Sequence, residues 1–183
     1  FNISDEIINY DFNNAYSRNK FRNQLDISDK SIVFGFCGSL GLEKQWNSIY
    51  PYITHLNKIN YLCKQQNLEC IFAIKSNWVN SKIKSEMKKY LRMKIIYLTD
   101  YDIATSLHCF DIGCHIVLDG PDNFSRIGIK VYEYLYSGLH VLASSSSGGA
   151  KQISSQHNAL IELETLYTSP KHFLQKIIGC KNK

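Results

Sequence analysis

The sequence lacks long hydrophobic runs: no apolar stretch approaches the roughly 20 residues that a helix needs to cross a bilayer. The start of the chain, at Phe1, also lacks the features of a secretory signal, which are a basic flank, an apolar core and a small-residue cleavage site. These absences predict a soluble protein that resides in the cytoplasm.

Paired-cysteine motifs are absent too, although the chain contains six cysteines. None of them forms a C-x-x-C pair, and most lie in or beside apolar runs: Cys37, Cys63, Cys70, Cys109, Cys114 and Cys180. We therefore expect free, buried thiols in a reducing compartment, with neither a disulfide framework nor a zinc site.

The composition, with 44% hydrophobic and 20% charged residues over 183 positions, is that of one globular domain. A second full domain does not fit. The net charge of +5 includes lysines on one predicted helix, at positions 82, 84, 88 and 89, and such a run is typical of a solvated face. We expect no nucleic-acid partner. The same lysines would attract phosphates or anionic lipid headgroups, so peripheral contact with the cytoplasmic membrane face is a further expectation.

Strand-like and helix-like patterns alternate from residue 31 onward. Short β-branched runs predict strands at 31–37, 70–74, 94–98, 112–118 and 139–143, and apolar spacing predicts helices at 81–91, 102–109 and 129–136. This alternation predicts an α/β, Rossmann-like three-layer sandwich with a mostly parallel sheet. Residues 1–30 are interpreted as a lead-in and residues 31–183 as the domain. Ligands of such sheets bind beyond the carboxyl ends of the strands.

Three finer expectations concern the connections. A helix after the first strand should be kinked or restarted by Pro51. The small residues from Ser144 to Gly149 indicate a flexible loop. The last helix should have Ser169 as N-cap, Pro170 in its first position and Gly179 just beyond its end.

The first candidate ligand loop follows the first strand and contains Gly38, Ser39 and Lys44. Glycines there allow backbone N–H groups to approach an anion, and the following helix N-terminus adds partial positive charge. The loop has neither the G-x-G-x-x-G spacing of dinucleotide binders nor the G-K-[ST] ending of a P-loop. A plain tight turn between strand and helix is the alternative.

The second candidate loop spans residues 119–128 and leads into a helix with Lys130 and Glu133 three residues apart, hence on one face. A cation near phosphate and a carboxylate near a ribose diol would suit a nucleotide. The alternative is an exposed ion pair between the two side chains.

The segment from Gly128 to Ser144 resembles the donor-site motif of glycosyltransferase family 4, whose members typically show "K, two residues, EYLASG, PV" and an E-x7-E motif. Gly38, Ser39 and Leu40 with Lys44 resemble the family's first-strand loop, "GRL, three residues, KG". Gly148 and Gly149 match a third element. The three occur in family order over about residues 32–163.

The resemblance implies the C-terminal, donor-binding half of a GT-B enzyme, which holds a nucleotide-diphosphate sugar without a metal cofactor. Glu133 would accept hydrogen bonds from the ribose hydroxyls and Lys44 would contact the diphosphate, which makes these two the candidate catalytic residues. Other groups beside the phosphates would be the backbone of Gly38, Ser39, Gly128 and Ile129 and the side chain of Lys130. Together they would stabilise the charge of the departing nucleoside diphosphate.

The chain departs from the family pattern at three places. Ser125 stands where many members have the first glutamate of E-x7-E, which contacts the donor sugar, and Ser39 stands where arginine is usual. Arg126 either supplies the missing positive charge or is a solvated loop residue. His140 replaces the usual proline.

A rival motif is the D-x-D formed by Asp100 and Asp102, the pattern by which GT-A enzymes hold a divalent cation. Its position at a helix start favours a capping role instead. His115 lies within a strand run and is interpreted as a core histidine.

GT-B enzymes place most of the acceptor site in an N-terminal domain, so the resemblance implies that a glycan or lipid-linked acceptor binds outside this sequence. The enzyme would act in polysaccharide or glycoconjugate synthesis, and the present chain alone would be inactive. Two alternatives stay open: a non-catalytic module that binds a nucleotide sugar or docks a partner, and a GT-B nucleotide-sugar epimerase.

Overall fold

The computed structural model describes residues 3–43, 48–118, 120 and 128–182. In these residues six strands form one sheet in the order β3-β2-β1-β4-β5-β6, and every neighbouring pair is parallel. The strands are β1 (Ile32–Cys37), β2 (Cys70–Lys75), β3 (Lys94–Tyr97), β4 (Ile112–His115), β5 (His140–Ala143) and β6 (Leu160–Glu162). The predicted parallel α/β sheet is confirmed, and its order reverses between β1 and β4.

Helices cover both faces of the sheet. They are α1 (Asp5–Ile8), α2 (Ala15–Gln24), α3 (Ile49–Lys64), α4 (Ser81–Tyr90), α5 (Ile103–His108), α6 (Ile129–Tyr136), α7 (Gly148–Gln156), α8 (Thr165–Thr168) and α9 (Pro170–Gly179). Helices α3, α4 and α9 contribute to one buried apolar cluster, whereas α2, α5 and α6 contribute to the other. The architecture is therefore the predicted three-layer sandwich. Within the described ranges, no helix combines the length and apolar character that spanning a bilayer requires.

The two central strands, β1 and β4, carry two glycines that lie side by side in the sheet. Gly35 of β1 is the register partner of Gly113 of β4. A Cβ atom added to Gly35 would lie 1.9 Å from Cδ2 of Phe110, and one added to Gly113 would lie 2.4 Å from Cδ2 of Tyr134. The two aromatic rings therefore rest directly on the sheet. The Tyr134 hydroxyl also accepts a hydrogen bond from Cys37 N at 2.9 Å, which fixes α6 to the end of β1.

A buried ion cluster attaches the N-terminal helices to the domain. The Arg22 side chain is 2% exposed, and its Nη1 lies 3.2 Å from Oδ1 of Asp111, whose side chain is 1% exposed. Arg18 contributes a second guanidinium, whose Nη2 lies 2.5 Å from the same oxygen. Asp111 also accepts a hydrogen bond from Val33 N at 2.7 Å. The lead-in thus packs against the sheet, and the domain boundary at residue 30 stays a prediction.

The prediction of a loop from Ser144 to Gly149 is wrong for its last two residues. Helix α7 begins at Gly148 with Ser147 as N-cap, and β6, which no sequence pattern predicted, follows it. Glycine and serine have weak helix propensity, but Ala150 and Ser154 are buried here, so tertiary packing outweighs local preference.

Other expectations are corrected in detail. Pro51 does not interrupt α3, because the helix begins at Ile49 and proline is tolerated in a first turn. Ser169 and Pro170 begin α9 as predicted, but Gly179 is its last residue and does not follow it. All six cysteines are free and buried, which confirms the expected thiols.

Candidate functional site

The candidate site is a cavity of about 390 Å³ at the carboxyl edge of the sheet. Its wall includes Gly38, Ser39, Lys75, Trp78, Asp102 and Lys130. Gly38 follows β1 with a φ of +138°, a conformation that side chains disfavour, and its N–H donates to Lys75 O at 3.0 Å. Because β1 borders the reversal of strand order, the cavity lies where doubly wound sheets bind ligands.

The start of α6 forms one side of this site. Gly128 is the N-cap, and glycine has no side chain that could accept from the first-turn N–H groups. Of these groups, Val131 N donates to Gly128 O at 2.9 Å. The turn packs closely on β4, since a Cβ atom at Gly128 would lie 3.2 Å from Cε1 of His115. These N–H groups and the helix dipole favour an anion.

Lys130 and Glu133 form the predicted ion pair, but the pair is not exposed. Lys130 Nζ lies 2.8 Å from Oε2 of Glu133 and donates to Oε1 at 3.1 Å, and Glu133 is only 4% exposed. Nζ is not aligned for a hydrogen bond to Oε2, so this buried oxygen has no hydrogen-bond donor among the described residues. The interpretation as a surface ion pair is therefore wrong about exposure. The ammonium still compensates the charge of this oxygen, so a ligand hydroxyl would replace part of the ion pair.

The structure brings together part of the predicted site. Gly38, Ser39 and Lys130 line the same cavity, and Ile129 is the first residue of α6 beside it. Glu133 is not one of the described residues that line the cavity, because its carboxylate lies behind the Lys130 ammonium. Lys44, Ser125 and Arg126 lie outside the described residues.

Sequence reasoning missed the part of the wall that follows β2. Lys75 ends this strand, and its Nζ donates to Thr99 O at 3.2 Å and to Tyr101 O. Trp78 lies three residues further along and is 73% exposed. Glu6 of α1 lines the cavity as well. The rule that ligands bind beyond strand carboxyl ends could have identified residues 75–78, because β2 is the neighbour of β1.

Asp102 of the D-x-D motif caps α5, as predicted. It accepts hydrogen bonds from Thr105 N and Thr105 Oγ1, each at 2.7 Å. Burial alone would raise the pKa of Asp102, but these hydrogen bonds outweigh it and lower the pKa below the usual range. In the part of the chain that the structure describes, no cluster of three or more histidine, cysteine or acidic side chains could hold a metal ion.

His115 ends β4 next to Gly128. Burial disfavours the imidazolium and lowers the pKa of His115 to about 4, so the side chain is neutral near neutral pH. His108, on the opposite edge of the sheet, has a pKa that is lowered in the same direction, mainly by burial.

These histidines predict a pH-dependent stability. An unfolded histidine binds a proton near pH 6.5, whereas folded His115 does so only near pH 4, so the free energy of unfolding should decrease as pH falls through this window. His115→Gln should remove roughly 2 kcal/mol of that decrease between about pH 7 and about pH 5. Urea denaturation between about pH 7 and about pH 5 measures it, with the exposed His172→Gln as control. If the free energy of unfolding of His115→Gln decreases with pH as steeply as that of the parent, His115 does not cause the pH dependence.

Comparisons with known proteins bear on the fold. No family model matches the sequence, and no curated protein matches it. Among solved structures, the apo structure of OtsA shares 12% identity with a TM-score of 0.52, over 89% of this chain and 41% of that one.

Two further structures show weaker likeness. The glycosyl transferase family 9 protein from Veillonella parvula DSM 2008 has 12% identity and a TM-score of 0.48, over 96% of this chain and 53% of its own. The ADP-heptose lipopolysaccharide heptosyltransferase II from E. coli has 11% identity and a TM-score of 0.44, over 71% of this chain and 37% of its own. The chain therefore spans about half or less of their lengths. At 12% identity the likeness to OtsA shows the fold alone, that of a Rossmann-like half-domain.

Proposed function

We propose that this chain is the donor-binding half of a GT-B glycosyltransferase and that it binds a nucleotide-diphosphate sugar. One observation carries the proposal: Gly38 and Ser39 from the first motif line the same cavity as Lys130 from the second, although the motifs are about 90 residues apart. The cavity lies at the reversal of strand order, where such sheets bind nucleotides. The two motifs resemble those of family 4.

The cavity offers complementary groups to such a ligand. Lys130 Nζ and the first-turn N–H groups of α6 suit a diphosphate, whose negative charge increases as it departs from the sugar. The Glu133 carboxylate holds the Lys130 ammonium at 2.8 Å, and it would accept from a ribose hydroxyl once that ammonium turns toward the phosphates. These groups provide the charge stabilisation for transfer without a metal ion.

The acceptor, a glycan or a lipid-linked glycan, would bind to a second domain that faces this cavity. Transfer needs both partners in one cleft, because orientation of reactants contributes roughly 7 to 11 kcal/mol to lowering a barrier. The chain alone is therefore expected to bind the nucleotide but not to transfer sugar. The complete enzyme would build polysaccharide or glycoconjugate in the cytoplasm. The exposed lysines of α4, Lys82, Lys84, Lys88 and Lys89, would draw it to anionic lipid at the membrane face.

Calorimetric titration with UDP, GDP and ADP, each with and without EDTA, tests the proposal. At least one nucleoside diphosphate should bind, and EDTA should leave its affinity unchanged. Lys130→Gln should weaken it by about tenfold, the loss of one charge-assisted hydrogen bond. Lys151→Gln is the matched control, because Lys151 is a helical lysine paired with Glu162 at 2.9 Å. Absence of binding by the parent, or binding lost in EDTA, would contradict the proposal.

A further inference from the structure

Trp78 is an exposed aromatic residue at the junction of two cavities. Its side chain is 73% exposed, and it lines both the candidate site and a neighbouring cavity of about 650 Å³. The second cavity is bordered by Leu40, Leu42 and Ile83, and it shares Ser39 with the first. Trp78 and Ser39 are thus the residues at which the two spaces meet.

Hydrogen bonds hold the backbone on either side of Trp78. Trp78 N donates to Oγ of Ser76 at 3.2 Å, and Ser76 is itself only 3% exposed. Two residues beyond Trp78, Asn80 caps α4 by accepting from Ile83 N at 3.0 Å. A single exposed aromatic residue is ordinary on a protein surface, so its exposure alone means little. The informative feature is an indole placed by a constrained connection on the wall that also carries Lys130.

We propose that Trp78 is the platform on which the base of the bound nucleotide stacks. This inference rests on the proposed function, since it places the phosphates beside Lys130 and the base against the indole of the same cavity. An indole offers a flat π surface, and every nucleobase has a π face, so stacking raises affinity for all nucleotides. The expected selectivity is for nucleotides over ligands that carry phosphate without a base.

The remaining wall suits the edge of a base. Glu6 and Asp102 line the same cavity, and their carboxylate oxygens accept hydrogen bonds from N–H donors, which bases have and phosphates lack. Each Asp102 oxygen that accepts from Thr105 keeps a further acceptor position. The cavity therefore combines the ammonium groups of Lys75 and Lys130 with the carboxylates of Glu6 and Asp102, which suits a ligand that has both anionic groups and N–H donors.

Affinity measurements on Trp78 variants test this role. The parent, Trp78→Ala and Trp78→Phe are titrated with UDP, GDP, ADP and inorganic pyrophosphate. Trp78→Ala should lower the affinity for the nucleotide that the parent binds by roughly tenfold and leave the affinity for pyrophosphate unchanged. Trp78→Phe should retain most of the nucleotide affinity. Tyr61→Ala, which removes an aromatic residue that is 59% exposed on α3, should bind like the parent. Nucleotide should also quench the fluorescence of the parent more than that of Trp78→Phe.

The outcomes separate the two proposals. If the parent binds nucleotide and Trp78→Ala binds it equally well, the stacking role is wrong while the proposed function stands. If Trp78→Ala loses affinity for nucleotide and for pyrophosphate equally, the stacking role is wrong as well. If the parent binds neither ligand, the proposed function fails and the stacking role fails with it. Thermal midpoints near that of the parent are expected, because the replaced side chain is exposed.

Discussion

Asp111→Ala is expected to lower the free energy of unfolding by about 3 to 5 kcal/mol. The Asp111 side chain is 1% exposed and is shared by Arg18, Arg22 and Val33 N. Its removal leaves the guanidinium of Arg22, which is 2% exposed, in the interior without its carboxylate. An unpaired buried charge is among the most destabilising changes a protein can undergo. Because domains are typically stable by only about 5 to 15 kcal/mol, much of the stability would be lost.

Urea denaturation of the parent and the variant measures this loss. Asp26→Asn is the control, because Asp26 pairs with Lys94 at 3.1 Å while its side chain is fully exposed, and asparagine tolerates the φ of +53° at this position. The control should unfold like the parent, since exposed ion pairs contribute little. Asp111→Asn keeps the shape of the side chain and the acceptor for Val33 N, so its free energy of unfolding should lie between that of the control and that of Asp111→Ala. A small effect of Asp111→Ala would contradict the view that the cluster anchors α2.

Glu133→Gln is expected to weaken nucleotide binding by roughly ten- to a hundredfold. The carboxylate is 4% exposed, and one of its oxygens lacks a hydrogen-bond donor among the described residues. An amide offers a single, weaker acceptor to the ribose hydroxyls. The fold should survive, because glutamine keeps the shape and the helix propensity and the side chain of Lys130, 31% exposed, remains partly hydrated.

A 2′,3′-dideoxy nucleotide distinguishes the two ways in which Glu133 can act. If Glu133 binds the ribose, the variant should lose affinity for the nucleotide with both hydroxyls and little for the analogue that lacks them. Equal losses for both would mean that Glu133 acts through Lys130 on the phosphates, and the ribose role would be withdrawn. Unchanged affinity for both would leave only a structural ion pair. Calorimetry and a thermal midpoint for each protein complete the comparison.

Local patterns in the sequence predicted the fold well where they were strong. The helix Ile129–Tyr136 was predicted with its observed bounds, because its apolar spacing is regular. Strand β1 was predicted to within one residue, because a β-branched run ends at glycine. The ends of α7 and β6 could not be predicted in this way. Helix α7 begins with two glycines, which carry little helix propensity, and β6 has three residues, a run too short to predict a strand, so contacts with distant parts of the chain decide both.

The candidate site was predictable only where motifs exist. The glycine loop after β1 and the start of α6 have motifs, and these segments meet in the fold. Trp78 belongs to none, so its place beside Lys130 depends on the order of β2 and β1 in the sheet. The burial of Glu133 was missed for a related reason: spacing along a helix shows which residues share a face but not what covers that face.

One of the paired glycines of the central strands, Gly113, sets how closely α6 packs on the sheet. It thereby sets where Lys130 on that helix lies. A methyl group at Gly113 would collide with the Tyr134 ring, and Tyr134 adjoins Glu133 on α6. Relief of the collision would lift this helix away from the sheet and carry Lys130 with it. Variants at residue 113 would thus imitate loss of a ligand-binding residue although glycine contacts no ligand there. Stability and affinity cannot be adjusted separately at this position, so a mutational screen that scores binding alone would assign Gly113 to the wrong class of residue.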